Sequence, residues 1–256
     1  MKIAVTGKGG VGKTTIAVLM AGILSDSGNK VMVVDADPDM NVATVLGIPK
    51  EKGVTPIVEL KGLMAERTGT KVGDPAPFFT MNPKVDDIPE KYCLEQRGIK
   101  LLVMGTIRMG GGGCACPENA FLKTLLSHLM VARKEWVILD MEAGIEHIGR
   151  GTAIGVDEMI VVVEPSRVSI ETAYRIDKLS KDIGIKSIRI IGNKIRKPEE
   201  KNFIEENTEG LEILGFIDSS EEIQKINTNE ISALDIAGKP ITQINELLKK
   251  LALYSK

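Results

Sequence analysis

The chain has 256 residues, 43% of them hydrophobic and 27% charged, a composition typical of a globular protein large enough for one α/β domain. Its formal net charge of −2 does not favour strong sequence-independent binding to nucleic acid. Three cysteines are too few for a disulfide framework. No apolar run of about 18 residues could span a bilayer, and no N-terminal signal peptide is visible. We therefore expect a cytoplasmic protein with no stable membrane association and no nucleic-acid partner.

The predicted elements alternate between strands and helices along the whole chain. Apolar runs predict seven buried strands, at residues 2–6, 30–35, 100–104, 136–140, 159–164, 187–192 and 211–217. Helical spacing predicts helices near residues 14–27, 55–67, 119–133, 168–183, 198–207, 219–230 and 241–253, whereas the proline-rich stretch 74–89 is predicted to be a loop. Strands that are apolar throughout and alternate with helices predict a mostly parallel central β-sheet with helices on both faces. Because no linker is apparent, residues 1–256 are predicted to form a single domain.

A glycine-rich stretch between the first strand and the first helix fits the phosphate-binding pattern G-x-x-x-x-G-K-[ST]. It reads G-K-G-G-V-G-K-T over residues 7–14, and this strand-to-helix context is the one that the motif requires. Its glycines let backbone N–H groups turn toward phosphate oxygens, and the helix N-terminus adds positive potential. Lys13 is predicted to reach the β- and γ-phosphates, and the Thr14 hydroxyl is predicted to bind Mg²⁺. The motif predicts a P-loop NTPase whose nucleotide-binding residues are Gly9, Gly10, Val11, Gly12, Lys13, Thr14 and Thr15.

Acidic residues at two strand ends complete the predicted site. Asp140 ends the apolar run V-I-L-D, the usual place for a carboxylate that faces Mg²⁺ through water. Asp35 and Asp37 follow the second strand in D-A-D-P-D. An aspartate at a strand end is often only a turn or cap residue, so the residues alone leave both roles open.

Lys8 gives the loop a second lysine, and K-G-G-V-G-K-T-T resembles the deviant Walker A motif. The family with this motif includes nitrogenase iron protein, the septum-site and plasmid-partition ATPases, and the arsenite and tail-anchor ATPases. The resemblance extends to D-A-D-P-D-M-N at 35–41, V-I-L-D-M-E-A-G at 137–144 and I-G-N-K at 191–194. It therefore covers nearly the whole chain.

This resemblance implies roles for individual residues. Lys8 would cross a dimer interface to the partner's nucleotide, and Asp37 would position the attacking water. Asn193 would read the adenine edge, and the segment after Asp140 would act as a second switch. The implied reaction is hydrolysis of ATP to ADP and phosphate, with Lys8, Lys13 and Asp37 as its catalytic residues and with positioning and charge neutralisation as the source of catalysis.

Cys114 and Cys116 stand one residue apart, directly after four glycines. A disulfide between them would be strained and, in a reducing cytosol, short-lived. Metal binding, redox chemistry and no role at all remain open on the residues alone. One chain offers two thiolates, whereas a closed zinc site takes four ligands. A two-fold dimer that brings two such loops together would supply four sulfurs, which suit tetrahedral Zn²⁺ or planar Ni²⁺.

A deviant Walker A loop combined with C-A-C resembles the CooC-type maturation ATPases. These proteins assist nickel insertion into carbon monoxide dehydrogenase, and close relatives serve acetyl-CoA synthase. The stretch M-E-A-G-I-E-H-I-G-R-G at 141–151 resembles the same group. The resemblance implies that Cys114 and Cys116 bind Ni²⁺ or Zn²⁺ in a homodimer, with one of those nickel enzymes as client.

Two alternative functions remain open. One is a spatial-organisation ATPase that binds a membrane or DNA, since residues 244–254 could form a membrane-binding amphipathic helix. The apolar residues of that stretch equally suit a packed helix, which we favour; they are Ile244, Leu247, Leu248 and Leu251. The other is an electron-transfer reductase with an Fe–S cluster, but His147 stands where nitrogenase iron protein has its second cluster cysteine.

Cys93, His128 and His147 are further candidate metal ligands. Cys93 is more typical of a small apolar residue that fills space. His128 falls in a predicted helix and is expected to be structural or on the surface, and a structural role is also favoured for His147.

Overall fold

The computed structural model describes residues 1–72, 78–105, 116–143, 155–228 and 230–254. These residues form one sheet of eight strands, which are β1 (Lys2–Gly7), β2 (Val31–Asp35), β3 (Leu94–Gln96), β4 (Ile99–Val103), β5 (Trp136–Asp140), β6 (Glu158–Val163), β7 (Ile188–Ile195) and β8 (Glu212–Asp218). Their order is β3-β4-β2-β5-β1-β6-β7-β8, and all neighbours are parallel except β3 and β4. The predicted α/β fold with a mostly parallel sheet is confirmed, whereas the limits of a single domain over residues 1–256 stay a prediction.

Helices connect the strands in the described parts of the chain. They are α1 (Lys13–Asp26), α2 (Val42–Val45), α3 (Lys61–Thr68), α4 (Ile88–Tyr92), α5 (Pro117–Val131), α6 (Arg167–Ile183), α7 (Pro198–Asn207), α8 (Glu221–Asn227) and α9 (Lys239–Tyr254). Local signals set several of these limits. The Ser166 hydroxyl accepts a hydrogen bond from the Ser169 N–H at the start of α6, and Gly184 ends that helix in the left-handed conformation.

Successive side chains of a strand point to opposite sides of the sheet, and in the central strands both sides are buried. In β1, Ile3 and Val5 face a core that includes residues of α1 and α9, whereas Ala4 faces a core built with α5 and α6. This double burial explains why the strands have nearly continuous apolar sequences.

The carboxyl ends of the parallel strands meet at one edge of the sheet, where ligands bind in open α/β folds. At this edge β1 ends in Gly7, β2 in Asp35 and β5 in Asp140. Asp35 and Asp140 are direct neighbours in the β2–β5 register. The fold therefore brings the glycine loop and the strand-end aspartates together.

Three stretches differ from the sequence-based expectation. The helix predicted at 55–67 is a 3₁₀ turn, Ile57–Glu59, followed by α3, because Leu60 between them leaves helical geometry at φ −79° and ψ 54°. Strand β3 was not predicted, since three residues are too few to show an alternating pattern. Helix α4 begins at the end of the predicted 74–89 loop, and Pro89 suits its first turn.

Helix α9 packs against α1 and β8. Its apolar face is buried, with Ile244 and Leu251 fully inaccessible and Leu247 and Leu248 at most 5% exposed. The packed interpretation of this C-terminal helix is confirmed. Across the described ranges, no helix has both the length and the apolar character needed to cross a bilayer.

Candidate functional site

The loop between β1 and α1 takes a conformation that its glycines permit. Gly7, Gly10 and Gly12 have φ angles of 145°, 79° and 97°, which other residues rarely adopt. A Cβ at Gly7 would lie 2.4 Å from the Val162 carbonyl oxygen. Val11, between the glycines, is fully buried in the core. The loop thus packs closely against β6 and the core just before α1 begins, and a loop that leads into a helix N-terminus is an arrangement that binds phosphate.

Asn193 and Lys194, in β7, brace this loop. The Asn193 side-chain amide donates a hydrogen bond to the Val11 carbonyl oxygen at 2.8 Å. The Lys194 ammonium donates to the Gly10 carbonyl oxygen at 2.6 Å. A Cβ at Gly12 would lie only 2.5 Å from Asn193 Nδ2, so this contact depends on glycine. The structure places Asn193 against the loop backbone, and its reading of adenine stays a prediction.

A cavity of about 660 Å³ opens beside the loop, a size typical of small-molecule sites. Its polar end is formed by Gly9, Gly10, Gly12, Lys13, Thr14, Thr15, Asp37 and Asn193. Its other end is apolar and is formed by Leu19, Ile217, Ile223, Ile226 and Ile244. The predicted nucleotide residues thus line the cavity, apart from Val11 and Asp140, which are fully buried.

Thr14 and Asp140 meet at the position predicted for magnesium. The Thr14 hydroxyl donates a hydrogen bond to Asp140 Oδ2 at 2.6 Å. The other oxygen, Oδ1, is buried and accepts no hydrogen bond from any residue that the structure describes. Burial raises the pKa of Asp140 to about 6, although the Thr14 bond and the Lys13 charge oppose the rise. A hydroxyl beside a buried carboxylate with a spare oxygen fits a hard divalent cation such as Mg²⁺.

Asp37 and Lys13 form an ion pair at the polar end of the cavity. Lys13 Nζ lies 3.5 Å from Asp37 Oδ2, and both side chains are nearly buried. Asp35 lies fully buried below them, and burial together with the Asp140 charge raises its pKa to about 7. The sequence assigned no definite role to Asp35. Its burial beside the other two aspartates is visible only in the fold.

Lys8, the distinguishing lysine of the loop, pairs with a residue of its own chain. Its Nζ lies 3.3 Å from Oε1 of Glu164, the residue directly after β6. The Lys194 ammonium lies 3.6 Å from the other oxygen of Glu164. Sequence reasoning missed Glu164, because it ends an apolar run with no motif around it.

The Cys-x-Cys stretch is described only at its second cysteine. Cys114 lies outside the described residues, and so does His147. Cys116 directly precedes α5, and its carbonyl oxygen accepts a hydrogen bond from the Ala120 N–H at 3.1 Å. In the part of the chain that is described, no three His, Cys, Asp or Glu side chains group closely enough to hold a metal ion. The structure therefore leaves the predicted Cys114–Cys116 metal site untested.

The two other candidate ligands that the structure describes, Cys93 and His128, are poorly suited to bind a metal ion. Cys93 packs against the core, and burial raises the pKa of its thiol to about 12, so the thiolate that binds metals is disfavoured. His128 lies in the same helix as Ala120 but twelve residues beyond Cys116, about 18 Å along the helix axis. His128 is therefore too far along α5 to complete a site with Cys116.

The strand that leads toward the cysteines is bonded to the acidic strand end. The Met104 N–H, just after β4, donates a hydrogen bond to the Asp35 carbonyl oxygen at 2.8 Å. Met104 in turn accepts from the Val58 N–H at 3.1 Å. The residues just after β4 thus lie beside the end of β2 that precedes Asp37.

Comparison with known proteins gives concordant matches over nearly the whole chain. The sequence profile of the CobQ/CobB/MinD/ParA nucleotide binding domain matches residues 2–233. The carbon monoxide dehydrogenase accessory protein CooC of Rhodospirillum rubrum is 47% identical over 93% of this chain and 90% of its own length. An ATP-binding protein of Methanocaldococcus jannaschii is 44% identical over 98% of this chain and 95% of its own length.

A solved structure shares the fold. A plasmid partition protein from Borrelia burgdorferi, bound to AMPPNP, superposes with a TM-score of 0.72 at 17% identity, covering 99% of both chains. The predicted P-loop fold and the predicted resemblance to CooC-type ATPases are confirmed by these matches.

Proposed function

The chain is a P-loop ATPase that belongs to the CobQ/CobB/MinD/ParA nucleotide-binding family, and we propose that it acts as a cytoplasmic homodimer that assists nickel insertion into carbon monoxide dehydrogenase or acetyl-CoA synthase. One observation carries this proposal. The similarity to CooC of Rhodospirillum rubrum extends over nearly the full length of both proteins, and this chain has a folded phosphate loop. Ni²⁺, or Zn²⁺ in its place, is the cargo.

The ATPase chemistry follows from the residues around the cavity. ATP would place its β- and γ-phosphates on the loop of Gly9 to Thr15, where backbone N–H groups and Lys13 neutralise them. Mg²⁺ would be held by Thr14 and, through water, by Asp140, and when bound it supplies charge neutralisation on the phosphate oxygens. Asp37 would orient the water that attacks the γ-phosphorus in line with the departing ADP oxygen.

Nucleotide binding would break the ion pair between Lys13 and Asp37. The two side chains are paired at 3.5 Å, and phosphates compete for the same ammonium. When Lys13 turns to phosphate, the Asp37 carboxylate loses a cation and becomes available to accept a hydrogen bond from water. Catalysis then depends on positioning and on fixed charge rather than on a covalent intermediate.

Lys8 would act in the partner subunit. A cation supplied across the interface makes hydrolysis depend on dimer closure, as an arginine finger does in related phosphoryl-transfer sites. Asn193 would contact the adenine in addition to bracing the loop. Each chain would contribute Cys114 and Cys116, so that a metal ion on the two-fold axis receives four sulfur ligands.

The decisive experiment measures metal and nucleotide together. Equilibrium dialysis of the full chain with Ni²⁺ should give one ion per dimer, and Cys114→Ser with Cys116→Ser should remove it. Cys93→Ser is the matched control and should retain the ion, since Cys93 is a buried thiol with a raised pKa. Stoichiometric Ni²⁺ binding by the double serine variant would refute the assignment. A parallel titration with Zn²⁺ ranks the two metals.

The client is tested by activation. Carbon monoxide dehydrogenase or acetyl-CoA synthase produced without nickel should gain activity faster when this protein, Ni²⁺ and ATP are supplied than when Lys13→Ala replaces it. Equal activation by that variant would show that ATP turnover is not required.

A further inference from the structure

Asp35 holds both ends of the loop that carries Asp37. Its Oδ1 accepts a hydrogen bond from the Asp37 N–H at 3.2 Å. Its Oδ2 accepts from the Val42 N–H, at the start of α2, at 3.1 Å. Asp35 is fully buried, so water does not compete for these bonds. One side chain thus closes residues 36–41 into a ring.

The closed loop has a shape that its own backbone disfavours. Met40 lies in the left-handed region at φ 47°, which a methionine seldom adopts. Inside the loop, Asp37 Oδ1 accepts from the Asp39 N–H at 3.0 Å, and the Asp37 carbonyl oxygen accepts from the Met40 N–H at 3.1 Å. A strained conformation of this kind persists where surrounding contacts determine it. The two bonds to Asp35 are such contacts.

Asp35 itself is fixed to the sheet. Its carbonyl oxygen accepts from the Met104 N–H, and the next residue, Ala36, donates its N–H to the Asp140 carbonyl oxygen at 2.9 Å. The backbone that carries the carboxylate is therefore fixed at the end of β2, between the neighbouring strands β4 and β5. Through its two hydrogen bonds, the carboxylate fixes the loop and Asp37 relative to the sheet.

We propose that Asp35 is a positioning residue for ATP hydrolysis, which closes the 36–41 loop and so sets the place of the Asp37 carboxylate at the phosphate end of the cavity. This inference rests on the proposed role of Asp37 as the group that orients the attacking water. Asp35 makes no hydrogen bond to residues 7–14 among those that the structure gives, so it acts on turnover rather than on nucleotide affinity.

The first experiment compares Asp35→Ala and Asp35→Asn in steady-state ATPase assays. Alanine removes both acceptors and should lower kcat by about 100-fold, the scale of a misplaced catalytic group. Asparagine keeps one acceptor, so the kcat of this variant should lie between those of the alanine variant and the wild type. The KM for ATP and the Mg²⁺ concentration that gives half-maximal rate should change less than threefold, an expectation of roughly constant binding. Asp86→Ala, at an exposed site, is the control.

The second experiment is a double-mutant cycle with Asp37→Ala. If Asp35 acts through Asp37, adding Asp35→Ala to Asp37→Ala should leave kcat unchanged. Independent, multiplying losses would overturn the inference. A large shift in Mg²⁺ dependence would also overturn it, because Asp35 would then act on the metal. Failure of Asp37→Ala to lower kcat would instead refute the proposed role of Asp37, so the two failures are distinct. If the alanine variant unfolds, the asparagine variant decides.

Discussion

Lys8 is paired with Glu164 of its own chain, its ammonium nitrogen 3.3 Å from the carboxylate oxygen. The Lys8 side chain is 38% exposed and that of Glu164 is 24% exposed, so water screens the pair. An ion pair of this kind contributes at most about 1 kcal/mol. Glu164 therefore orients Lys8 without locking it, and under the proposed role of Lys8 the phosphates of a partner's nucleotide would compete more strongly for its charge.

Lys8→Ala should weaken ATP-dependent dimerisation, because the partner's nucleotide loses the cation supplied across the interface. Light scattering with and without ATP measures the monomer–dimer balance. Lys71→Ala, at an exposed position, controls for the loss of one positive charge. An unchanged balance in Lys8→Ala would contradict the role of Lys8 in the partner site.

Glu164→Gln should have the opposite and smaller effect. Glutamine keeps an oxygen acceptor but removes the negative charge that holds Lys8, so dimerisation with ATP should strengthen by at most about fivefold, the equivalent of 1 kcal/mol. The same scattering titration measures it. The gain should disappear in the Lys8→Ala background, and a gain that persists there would mean that Glu164 acts through Lys194 or another group.

Gly12→Ala should disrupt the phosphate loop. The added Cβ would lie 2.5 Å from Asn193 Nδ2 on a backbone at φ 97°, so the Asn193 brace and the loop cannot both remain in place. We expect nucleotide affinity to fall by at least about tenfold, from loss of a few backbone N–H contacts. Gly9→Ala is the comparison, since nothing lies within 4 Å of its added Cβ. This variant should lose much less nucleotide affinity. Binding of a fluorescent ATP analogue distinguishes the two.

The nucleotide-free protein should become less stable as the pH rises from about 4 to about 7. Asp35 and Asp140 have an ordinary pKa of 3.8, which burial raises to about 7 and about 6 in the folded chain. Between these limits the folded state binds more protons than the unfolded state, so the free energy of unfolding decreases with pH and levels off above about 7. Thermal midpoints at pH 5 and pH 7.5 measure the change.

Asp35→Asn isolates the contribution of one group to this pH dependence. Asparagine does not titrate, so the fall in the thermal midpoint between pH 5 and pH 7.5 should be smaller in the variant than in wild type. An equal fall in both proteins would assign the pH dependence to other residues.

Local sequence predicted the parts of the site that depend on neighbouring residues in the chain. The glycines, Lys13 and Thr14 belong to one short loop, and Asp140 was a candidate because it ends an apolar strand. The contacts of Glu164 with Lys8 and of Asn193 with Val11 join residues more than 150 positions apart, and no local pattern encodes them. Asp35 was visible as a strand-end aspartate, but its bond to Val42 depends on how the loop folds back.

The hydrogen bond between the Met104 N–H and the Asp35 carbonyl oxygen joins the residues just after β4 to the end of β2, just before Asp37. If ATP changes the metal affinity of the dimer through this junction, thermodynamic reciprocity requires the metal to change ATP affinity by the same factor. If ATP raises nickel affinity in this way, a nickel-loaded dimer would hold its nucleotide more tightly than an empty one. Release of the ion to a client would then lower nucleotide affinity, so release of the metal ion and release of the nucleotide would be coupled.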